Sequence, residues 1–308
     1  MAVFTHITKE QAAEHLVAFD IGDVKGLDAI SAGVENTNYK LATTAGDYVL
    51  TLVEKRTEPK DLPFIVAFME HLQKRGIPCP AVIESREKQA IVPLAGRPAI
   101  ITAFLQGAAV KELTPAHSGA AGALLAKMHK AAADFKPQRE NPVALPAWKK
   151  LIGDCQAAPV YAGLQEELIW LEHNRPWGLP AGAVHADLFP DNAFFKDGKI
   201  SGVFDFYFSC TDAFAYDFMV TLDAWCFDDG AFNPARAKEF AGAYQAVRPL
   251  GAEEKKSLPY FGRAAALRIV ATRLYDQLHP AAGAHIAPHD PFEHVRILQF
   301  HQTENFSC

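Results

Sequence analysis

The feature that most constrains the fold is a pair of polar residues followed by a short hairpin. Asp187 and Asn192 are five residues apart, and Asp205 follows thirteen residues after Asn192. Between them, Asp197-Gly198 separates two strand-like runs, a setting in which an Asp-Gly pair favours a tight two-residue turn. The segment therefore predicts a β-hairpin that carries both an amide and a carboxylate at its open end.

The turn also predicts the register of this hairpin. If Lys196 pairs with Lys199, Asn192 faces Val203, which lies two residues before Asp205. With the carboxylate of the preceding loop, this gives one proton acceptor and two oxygen ligands for a hard cation, the set that phosphoryl transfer to a hydroxyl requires. The alternative is a hairpin whose polar ends are merely solvated, but residue types, spacing and turn chemistry together favour a functional site.

Length and composition limit the class of protein. A chain of 308 residues suits one two-lobed unit, and 49% hydrophobic with 21% charged residues predicts a sizeable core. The formal net charge is -6, and no block of lysine and arginine stands out. This charge pattern argues against nucleic acid as a partner.

The cysteines and the N-terminus indicate the compartment. The five cysteines are dispersed without a C-x-x-C pair, which argues for reduced thiols. The N-terminus lacks the basic and apolar regions of a signal peptide, and no apolar stretch reaches the roughly 18 residues of a spanning helix. We therefore expect a soluble cytoplasmic protein without a membrane partner, and the sequence specifies no oligomeric state.

Local patterns divide the chain into two regions near residue 105. The first predicts a helix opened by a capping box at Thr8–Gln11, strands at 27–30, 39–41, 48–53, 90–93 and 99–104, and a helix at 62–75. The second predicts a helix from Thr114-Pro115 and further helices near 164–174, 214–225, 234–247 and 253–278. This order predicts an α+β fold, with an antiparallel sheet and an inserted helix followed by a mainly helical part.

The motif and the order of elements together resemble the kinase-like fold. Asp-x-x-x-x-Asn followed by a metal-binding Asp is similar to its catalytic loop, and the His-x-Asp form at His185 resembles the aminoglycoside phosphotransferase branch. The chain also resembles the homoserine kinases of this fold over nearly its whole length, in segments 33–39, 48–55, 62–64, 76–80 and 266–276. The resemblance implies a bilobal protein-kinase-like architecture, with an N-terminal nucleotide-binding lobe at 1–104 and a C-terminal catalytic and substrate-binding lobe at 105–308.

The resemblance also implies an activity. It is the phosphorylation of the side-chain hydroxyl of L-homoserine to O-phospho-L-homoserine, on the route to threonine, with ATP and Mg2+. One alternative is a kinase of the same fold for choline, an aminoglycoside or a methylthiosugar. Another is a pseudokinase-like binding module, which the joint presence of Asp187, Asn192 and Asp205 disfavours. Ala186 stands where regulated protein kinases carry arginine, which favours a small-molecule substrate.

The same resemblance assigns roles around the catalytic loop. Asp187 would be the base that accepts the hydroxyl proton, while Asn192 and Asp205 would hold Mg2+ on the nucleotide phosphates. His185 would pack and hydrogen-bond rather than carry a proton, and Asp217 would brace the loop. The nucleotide phosphates would be covered by Gly33, Asn36, Thr37 and Asn38, and adenine would meet backbone groups of Thr102, Phe104 and Leu105.

Two positions depart from the kinase pattern. Where this fold carries a strand Lys or Arg paired with a helix Glu, the chain has Thr51 and, near the helix position, Ile65. Losing both partners together is physically coherent, because losing only the basic one would leave a buried carboxylate. Lys55 lies four residues further on and could substitute, or it is a solvated residue at the end of the strand.

Homoserine is a zwitterion, so its pocket needs a guanidinium for the carboxylate and an acceptor for the ammonium. On the late helix, Arg268, Thr272, Tyr275 and Asp276 share one face. Arg268 is the predicted carboxylate clamp, since guanidinium suits a two-bond grip on a carboxylate, and Tyr275 is the second predicted substrate contact. Arg273 and Asp276, three residues apart, could instead pair with each other.

Overall fold

The structure is a computed structural model that describes residues 4–30, 36–54, 57–279, 290–304 and 306. These residues form two compact units, and the chain passes from the first to the second between Gln106 and Gly107. The first unit is built on a β-sheet, and the second is mainly helical.

The sheet of the first unit is formed by antiparallel pairs. Its strands are β1 (Val24–Ile30), β2 (Thr37–Thr43), β3 (Asp47–Leu52), β4 (Val82–Ile83), β5 (Ile91–Leu94) and β6 (Arg97–Ala103). They lie in the order β1-β2-β3-β6-β4, and β5 pairs with β6. Alternate side chains of β2 are buried, so Tyr39 and Leu41 join Leu50 and Leu52 of β3 in one hydrophobic cluster.

Two helices accompany this sheet, α1 (Lys9–Leu16) and α2 (Leu62–Lys74). The predicted capping box of α1 is present, because the Gln11 amide donates to Thr8 Oγ1 and the Thr8 amide donates to Gln11 Oε1. Helix α2 buries Ile65, Phe68 and Leu72, so the position that the sequence predicts near the kinase glutamate lies in an apolar environment.

The second unit combines helices with short strand pairs. Its helices are α3 (Pro115–Ala131), α4 (Leu145–Gly153), α5 (Tyr161–His173), α6 (Phe214–Trp225), α7 (Pro234–Val247), α8 (Ala252–Leu278) and α9 (Pro291–Thr303). Its strands are β7 (Ala181–Val184), β8 (Ala193–Lys196), β9 (Lys199–Val203), β10 (Cys210–Ala213), β11 (Phe227–Asp228) and β12 (Ala231–Phe232). They pair as β7 with β10, β8 with β9, and β11 with β12.

Helix α3 lies close against α7, because Gly122 carries no side chain at their contact. A Cβ on Gly122 would lie 2.2 Å from the carbonyl oxygen of Phe240, a separation that no side chain could adopt. Helix α6 is buried along nearly its whole length and packs against α8. Side chains of α6 and α8 reach the loop between β7 and β8, through Asp217 and Arg268.

The predicted α+β fold, with a sheet followed by helices, is confirmed. The four helices predicted near 164–174, 214–225, 234–247 and 253–278 are present with shifts of at most three residues at either end. Helices α4 and α9 and the β7–β10 pair were not predicted. In the part of the chain that the structure describes, we find no helix with the length and apolar character needed to cross a membrane.

Candidate active site

The hairpin β8–β9 forms as predicted at its turn and differs at its open end. Asp197 and Gly198 both have positive φ, 51° and 74°, as a two-residue hairpin turn of the primed type requires. Lys196 pairs with Lys199 and Phe195 with Ile200. The turn prediction is therefore confirmed.

Beyond these pairs, a β-bulge shifts the register by one residue. Phe194 pairs with Gly202 and Ala193 with Val203, which leaves Ser201 as the extra residue. The predicted pairing of Asn192 with Val203 is therefore wrong, and the Phe204 amide instead donates to the Asn192 carbonyl at 3.1 Å. The bulge places Asn192 opposite the residue that directly precedes Asp205.

Asp187 lies on the loop between β7 and β8, with both carboxylate oxygens held. Arg268 Nη1 donates to Oδ1 at 3.0 Å, and Asn192 Nδ2 donates to Oδ2 at 3.2 Å. The same Asn192 nitrogen donates to the Asp187 carbonyl at 2.8 Å. The Asp187 side chain keeps 17% of its surface exposed, so an oriented carboxylate remains accessible.

The orientation of the Asn192 amide follows from these bonds. Because its NH2 group serves Asp187, its oxygen is the group left to act as a ligand. Asp205 adopts the left-handed conformation, with φ 65° and ψ 60°, at the start of a short 3-10 turn over Phe206–Phe208. One amide oxygen and one carboxylate suit Mg2+, which keeps several waters and takes the rest of its ligands from phosphates.

The described residues contain no group of three or more His, Cys, Asp or Glu side chains that could form a metal cage by themselves. Mg2+ bound with substrate phosphates does not need such a cage. The donor set at the hairpin therefore fits a nucleotide-bound magnesium ion better than a structural metal.

Asp217, on α6, accepts three hydrogen bonds at the catalytic loop. Its Oδ1 accepts from the Ala186 amide at 2.7 Å, and its Oδ2 accepts from the His185 amide at 3.1 Å. His129 Nε2, on α3, approaches the same Oδ2 at 3.0 Å. Burial alone would raise the pKa of Asp217, but the bonds from His129 and Ala186 outweigh it and hold this pKa below its usual range. Ala186 has a φ of 61°, so this brace holds an unfavourable backbone conformation.

His185 is buried, and its two ring nitrogens form hydrogen bonds to Asp187 and to Phe204. Its Nδ1 accepts from the Asp187 amide at 3.2 Å, so the proton lies on Nε2, which donates to the Phe204 carbonyl at 3.1 Å. Burial lowers the pKa of His185, which favours this neutral form. The imidazole therefore links the Asp187 amide to Phe204, the residue directly before Asp205.

A chain of hydrogen bonds continues from His129 away from the loop. Tyr244 Oη donates to His129 Nδ1 at 2.7 Å and itself accepts from Arg248 Nη1 at 3.0 Å. Arg248 Nη2 pairs with Glu254 at 2.9 Å. Burial lowers the pKa of His129, so the neutral ring donates through Nε2 to Asp217 and accepts at Nδ1.

The predicted substrate residues have different surroundings. Arg268 is almost fully buried, with its guanidinium on Asp187 and 4.7 Å from the centre of the Phe208 ring. Tyr275 is half-buried and stacks on His279. Arg273, for which pairing with Asp276 was the open alternative, forms an ion pair with Glu293 at 2.6 Å.

The side chains predicted to cover the phosphates are largely engaged within the first unit. Thr37 is fully buried, and its Oγ1 donates to Glu54 while accepting from the Phe4 amide. This burial disagrees with a role of the Thr37 hydroxyl on phosphate. Asn36 Oδ1 accepts from the Glu54 amide at 3.0 Å. Gly33 and Lys55 lie outside the described residues.

At the position where kinases carry a strand lysine, Thr51 Oγ1 donates to Asn38 Oδ1 at 2.7 Å. The two residues are cross-strand partners in β2 and β3. The Asn38 side chain is thus engaged with the residue that replaces the basic group. A further ion pair, between Glu54 and Arg97 at 3.2 Å, was not predicted.

The residues predicted to meet adenine lie at the end of β6. Thr102 is paired on both sides, with Val49 and Val82. The Phe104 amide donates to the Asp47 carbonyl at 3.2 Å, so that amide is already used. Leu105 follows the strand and is half-buried.

The sequence did not predict His129, Arg139 or the contact of Arg268 with Asp187. His129 and Arg139 are buried side chains far in sequence from the residues they hold. A buried histidine at helical spacing resembles an ordinary core residue, so no local signal distinguishes it.

Comparison with known proteins agrees with this geometry. A profile described as the phosphotransferase enzyme family matches residues 26–250. The homoserine kinase of Xanthobacter autotrophicus is 46% identical over 309 residues, which cover 98% of this chain and 96% of that protein. The homoserine kinase of Azorhizobium caulinodans is 44% identical, with the same shares of each chain.

Solved structures of the same fold include more distant proteins. A structure of amicoumacin kinase in complex with AMP-PNP and Ca2+ is similar with a TM-score of 0.70 and 16% identity, covering 96% of this chain and 93% of that one. A spectinomycin phosphotransferase in complex with ADP and spectinomycin gives a TM-score of 0.69 at 15% identity, covering 96% and 94%. These two likenesses concern the fold. The profile match and the curated relatives, by contrast, establish that this chain belongs to the phosphotransferase enzyme family, in the group formed by its homoserine kinases.

Proposed function

We propose that the protein transfers the γ-phosphoryl group of ATP to the side-chain hydroxyl of L-homoserine, giving O-phospho-L-homoserine and ADP, a step towards threonine. The observation that carries the proposal is the oriented and accessible Asp187 carboxylate next to the hairpin that bears Asn192 and Asp205. The homoserine kinase relatives, at 44–46% identity over 98% of the chain, support the choice of substrate.

Asp187 acts as the base in this proposal. As the homoserine oxygen forms its bond to the γ-phosphorus, the hydroxyl proton passes to a carboxylate oxygen of Asp187 and the bond to the ADP oxygen breaks. Arg268 and Asn192 fix the plane of the carboxylate, so no reorientation is needed when the hydroxyl arrives. Asp217 and His185 act indirectly, by holding the backbone around Asp187.

Asn192 and Asp205 are the proposed magnesium ligands. A bound Mg2+ ion would neutralise charge on the β- and γ-phosphates. The amide oxygen of Asn192 is directed by its bonds to Asp187, and Asp205 is directed by its left-handed backbone. The two proposed ligands are therefore oriented in different ways, Asn192 by side-chain hydrogen bonds and Asp205 by its backbone conformation.

For the nucleotide, we propose contacts from the backbone at residues 33–38 and from Leu105. The Thr37 hydroxyl is buried and the Phe104 amide already donates to the Asp47 carbonyl, so neither of these two groups is given a nucleotide contact in this proposal. Gly33, Asn36, Asn38 and Thr102 keep their predicted places in this set as proposals.

For the substrate, Arg268 and Tyr275 remain the proposed contacts. One guanidinium nitrogen of Arg268 is bonded to Asp187, so a homoserine carboxylate would share this cation with the base. Sharing would bring the substrate close to Asp187, where its hydroxyl has to react.

The proposed cytoplasmic location is supported by the need for ATP. It is also consistent with Cys79, Cys155, Cys210 and Cys226, which are free and buried in the described part of the chain. No nucleic-acid or membrane partner is part of the proposal.

A coupled assay of ADP release across homoserine, serine, choline, an aminoglycoside and homoserine methyl ester tests the function. We expect turnover with homoserine at a kcat/KM at least tenfold above the other compounds. A poor reaction of the ester would support a positively charged carboxylate site, because the ester lacks the negative charge. Preferred turnover of choline or an aminoglycoside would reject homoserine as the substrate while keeping the kinase reaction.

A further inference from the structure

We infer that Arg139 is a positioning residue that fixes the segment carrying Asp205, an inference that rests on the proposed function. Arg139 lies in the irregular chain between α3 and α4, and it is 7% exposed. Its Nη1 donates to the carbonyl oxygens of Tyr207 at 2.7 Å and of Ser209 at 2.6 Å. One guanidinium thus bridges two carbonyls in the five residues that begin at Asp205.

The backbone of Arg139 adds two further bonds to the same segment. The Thr211 amide donates to the Arg139 carbonyl at 2.7 Å, and the Arg139 amide donates to Thr211 Oγ1 at 3.2 Å. These bonds fix the place from which the side chain reaches back towards Tyr207 and Ser209. The contact is therefore anchored at both ends.

The segment needs such an anchor because it leaves the hairpin in an unfavourable conformation. Asp205 has left-handed dihedral angles, and non-glycine residues keep such angles only where their surroundings hold them. Before Asp205, the carbonyl of Phe204 is held by His185, and after it, the Ser209 amide donates to the Phe206 carbonyl. Arg139 donates to the carbonyls of Tyr207 and Ser209, which lie beyond the hairpin.

Arg139 also acts on a second part of the site. Phe208 lies between the two carbonyls that Arg139 holds, and its ring centre is 4.7 Å from the Arg268 guanidinium. Arg268 in turn holds Asp187 Oδ1. The same segment therefore carries the proposed metal ligand and the ring against which the arginine on the proposed base packs.

Both carbonyl contacts are made by one nitrogen of the Arg139 guanidinium, Nη1. A guanidinium presents several donors in a rigid plane, whereas the ammonium of lysine is a compact group on a flexible stem. Residues that hold a metal ligand in place commonly change metal affinity or activity by about 10–100-fold when they are replaced. Placing a buried cation in a loop is costly unless it is hydrogen-bonded, and here Nη1 donates to two main-chain oxygens.

The test compares Arg139→Met and Arg139→Lys with wild type and with Arg236→Met. Arg236 is another almost fully buried arginine of the second unit, and it pairs with Asp228 at 2.6 Å. Hydrogen exchange of the peptides covering residues 204–211 reports on the segment directly. Binding of AMP-PNP during a Mg2+ titration reports on the metal site without any turnover.

For Arg139→Met, we expect at least tenfold faster exchange in 204–211 and an increase of about 10–100-fold in the Mg2+ concentration for half-maximal nucleotide binding. Arg139→Lys should lie between this variant and wild type, and Arg236→Met should leave both readouts unchanged. Wild-type exchange and wild-type Mg2+ dependence in Arg139→Met would overturn the inference. If that variant does not fold, the same wild-type values in Arg139→Lys would overturn it.

The two proposals can fail separately. A wild-type protein that does not phosphorylate homoserine would reject the proposed function, yet the exchange comparison would still decide whether Arg139 holds the segment. Conversely, homoserine turnover with unchanged exchange in both Arg139 variants would keep the function and reject the role of Arg139.

Discussion

Two chemically different groups orient the carboxylate of Asp187. Arg268 brings a positive charge to Oδ1, while the Asn192 amide brings a neutral donor to Oδ2. A cation stabilises the negative form of a carboxylate, and a neutral donor mainly fixes its direction. Replacing each group should therefore change a different property of the site.

Asp187→Asn should lower kcat by about 10²–10⁴-fold, because the amide keeps the size of the side chain and cannot accept the hydroxyl proton. Nucleotide binding should stay close to wild type, since Asp187 is not a proposed metal ligand. Steady-state turnover together with AMP-PNP binding measures both effects. Asp191→Asn, which changes an exposed carboxylate four residues away, is the control and should remain active. Turnover above about a tenth of wild type in Asp187→Asn would exclude this residue as the base.

Asp205→Ala and Asn192→Ala should separate metal binding from the orientation of the base. Asp205→Ala should raise the Mg2+ requirement more, because a carboxylate offers a full charge to a hard cation and an amide offers only a dipole. Asn192→Ala should raise it less and should also lower kcat at saturating Mg2+, because the Asp187 Oδ2 contact is lost. Mg2+ titrations at fixed ATP measure both variants. Unchanged Mg2+ dependence in both would contradict the metal assignment.

The sequence identified Asp187, Asn192 and Asp205 as candidates because their relation is local and depends on one turn. It did not identify the partner of Arg268, because 81 residues separate Arg268 from Asp187 and a helical pattern gives only a shared face. His129 and Arg139 reach the site through tertiary packing, which leaves no pattern in their own neighbourhoods.

At the scale of elements, the turn of the β8–β9 hairpin was predictable and its bulge was not. Asp197-Gly198 specifies a primed turn by its need for two positive φ angles. Ser201 shows no comparable constraint in the sequence, although Gly202 beside it is compatible with an irregular strand. An error of one residue in the predicted register changes the residue that Asn192 opposes from Phe204 to Val203.

Deleting Ser201 should lower turnover while leaving the helical part folded. Phe195 would still pair with Ile200 and Phe194 with Gly202, so the partner of Asn192 would not change, but β9 would lose the bend and extra twist that the bulge gives it. Circular dichroism and the homoserine assay measure the two effects, and we expect a loss of about tenfold or more in kcat/KM. Ser201→Ala keeps the residue count and removes the 3.2 Å bond to the Phe194 carbonyl, so it should stay within about threefold of wild type. Near-normal activity of the deletion variant would show that the bend of the bulge does not align the two ligands.

Helices were easier to predict than short strands because the signals that start a helix are local in sequence. The capped helices α1 and α3 carry their start signals at Thr8 and Thr114, and both hydrogen-bond as capping residues. The β7–β10 pair is four residues long on each side and begins with Ala181-Gly182, residues with little preference for strands. Its position depends on Arg139 and α6, which the local sequence does not contain.

At the scale of the whole molecule, buried histidines make the stability of the fold depend on pH. Burial lowers the pKa of both His129 and His185, so the folded protein keeps these rings neutral as the solution is acidified. An unfolded chain binds the protons near the ordinary histidine pKa of about 6.5. The unfolded state then holds more protons, so the free energy of unfolding falls as pH decreases below about 6.5.

His129→Asn should reduce this dependence by removing one titrating group. Each buried histidine contributes a slope of up to about 1.4 kcal/mol per pH unit below its unfolded pKa. Burial also lowers the pKa of His15, so His129 is one of three such rings and the variant should lose about a third of their joint slope between pH 6.5 and 5. Urea unfolding followed by tryptophan fluorescence at several pH values measures this slope.

Tyr244→Phe is the matched control, because it removes the bond to His129 Nδ1 and keeps the histidine. That control should be less stable at every pH with an unchanged slope. Asp223, whose pKa burial raises, binds more protons folded than unfolded and acts with the opposite sign in all three proteins. Its effect cancels in the comparison, so an unchanged slope in His129→Asn would mean that His129 does not carry the pH dependence.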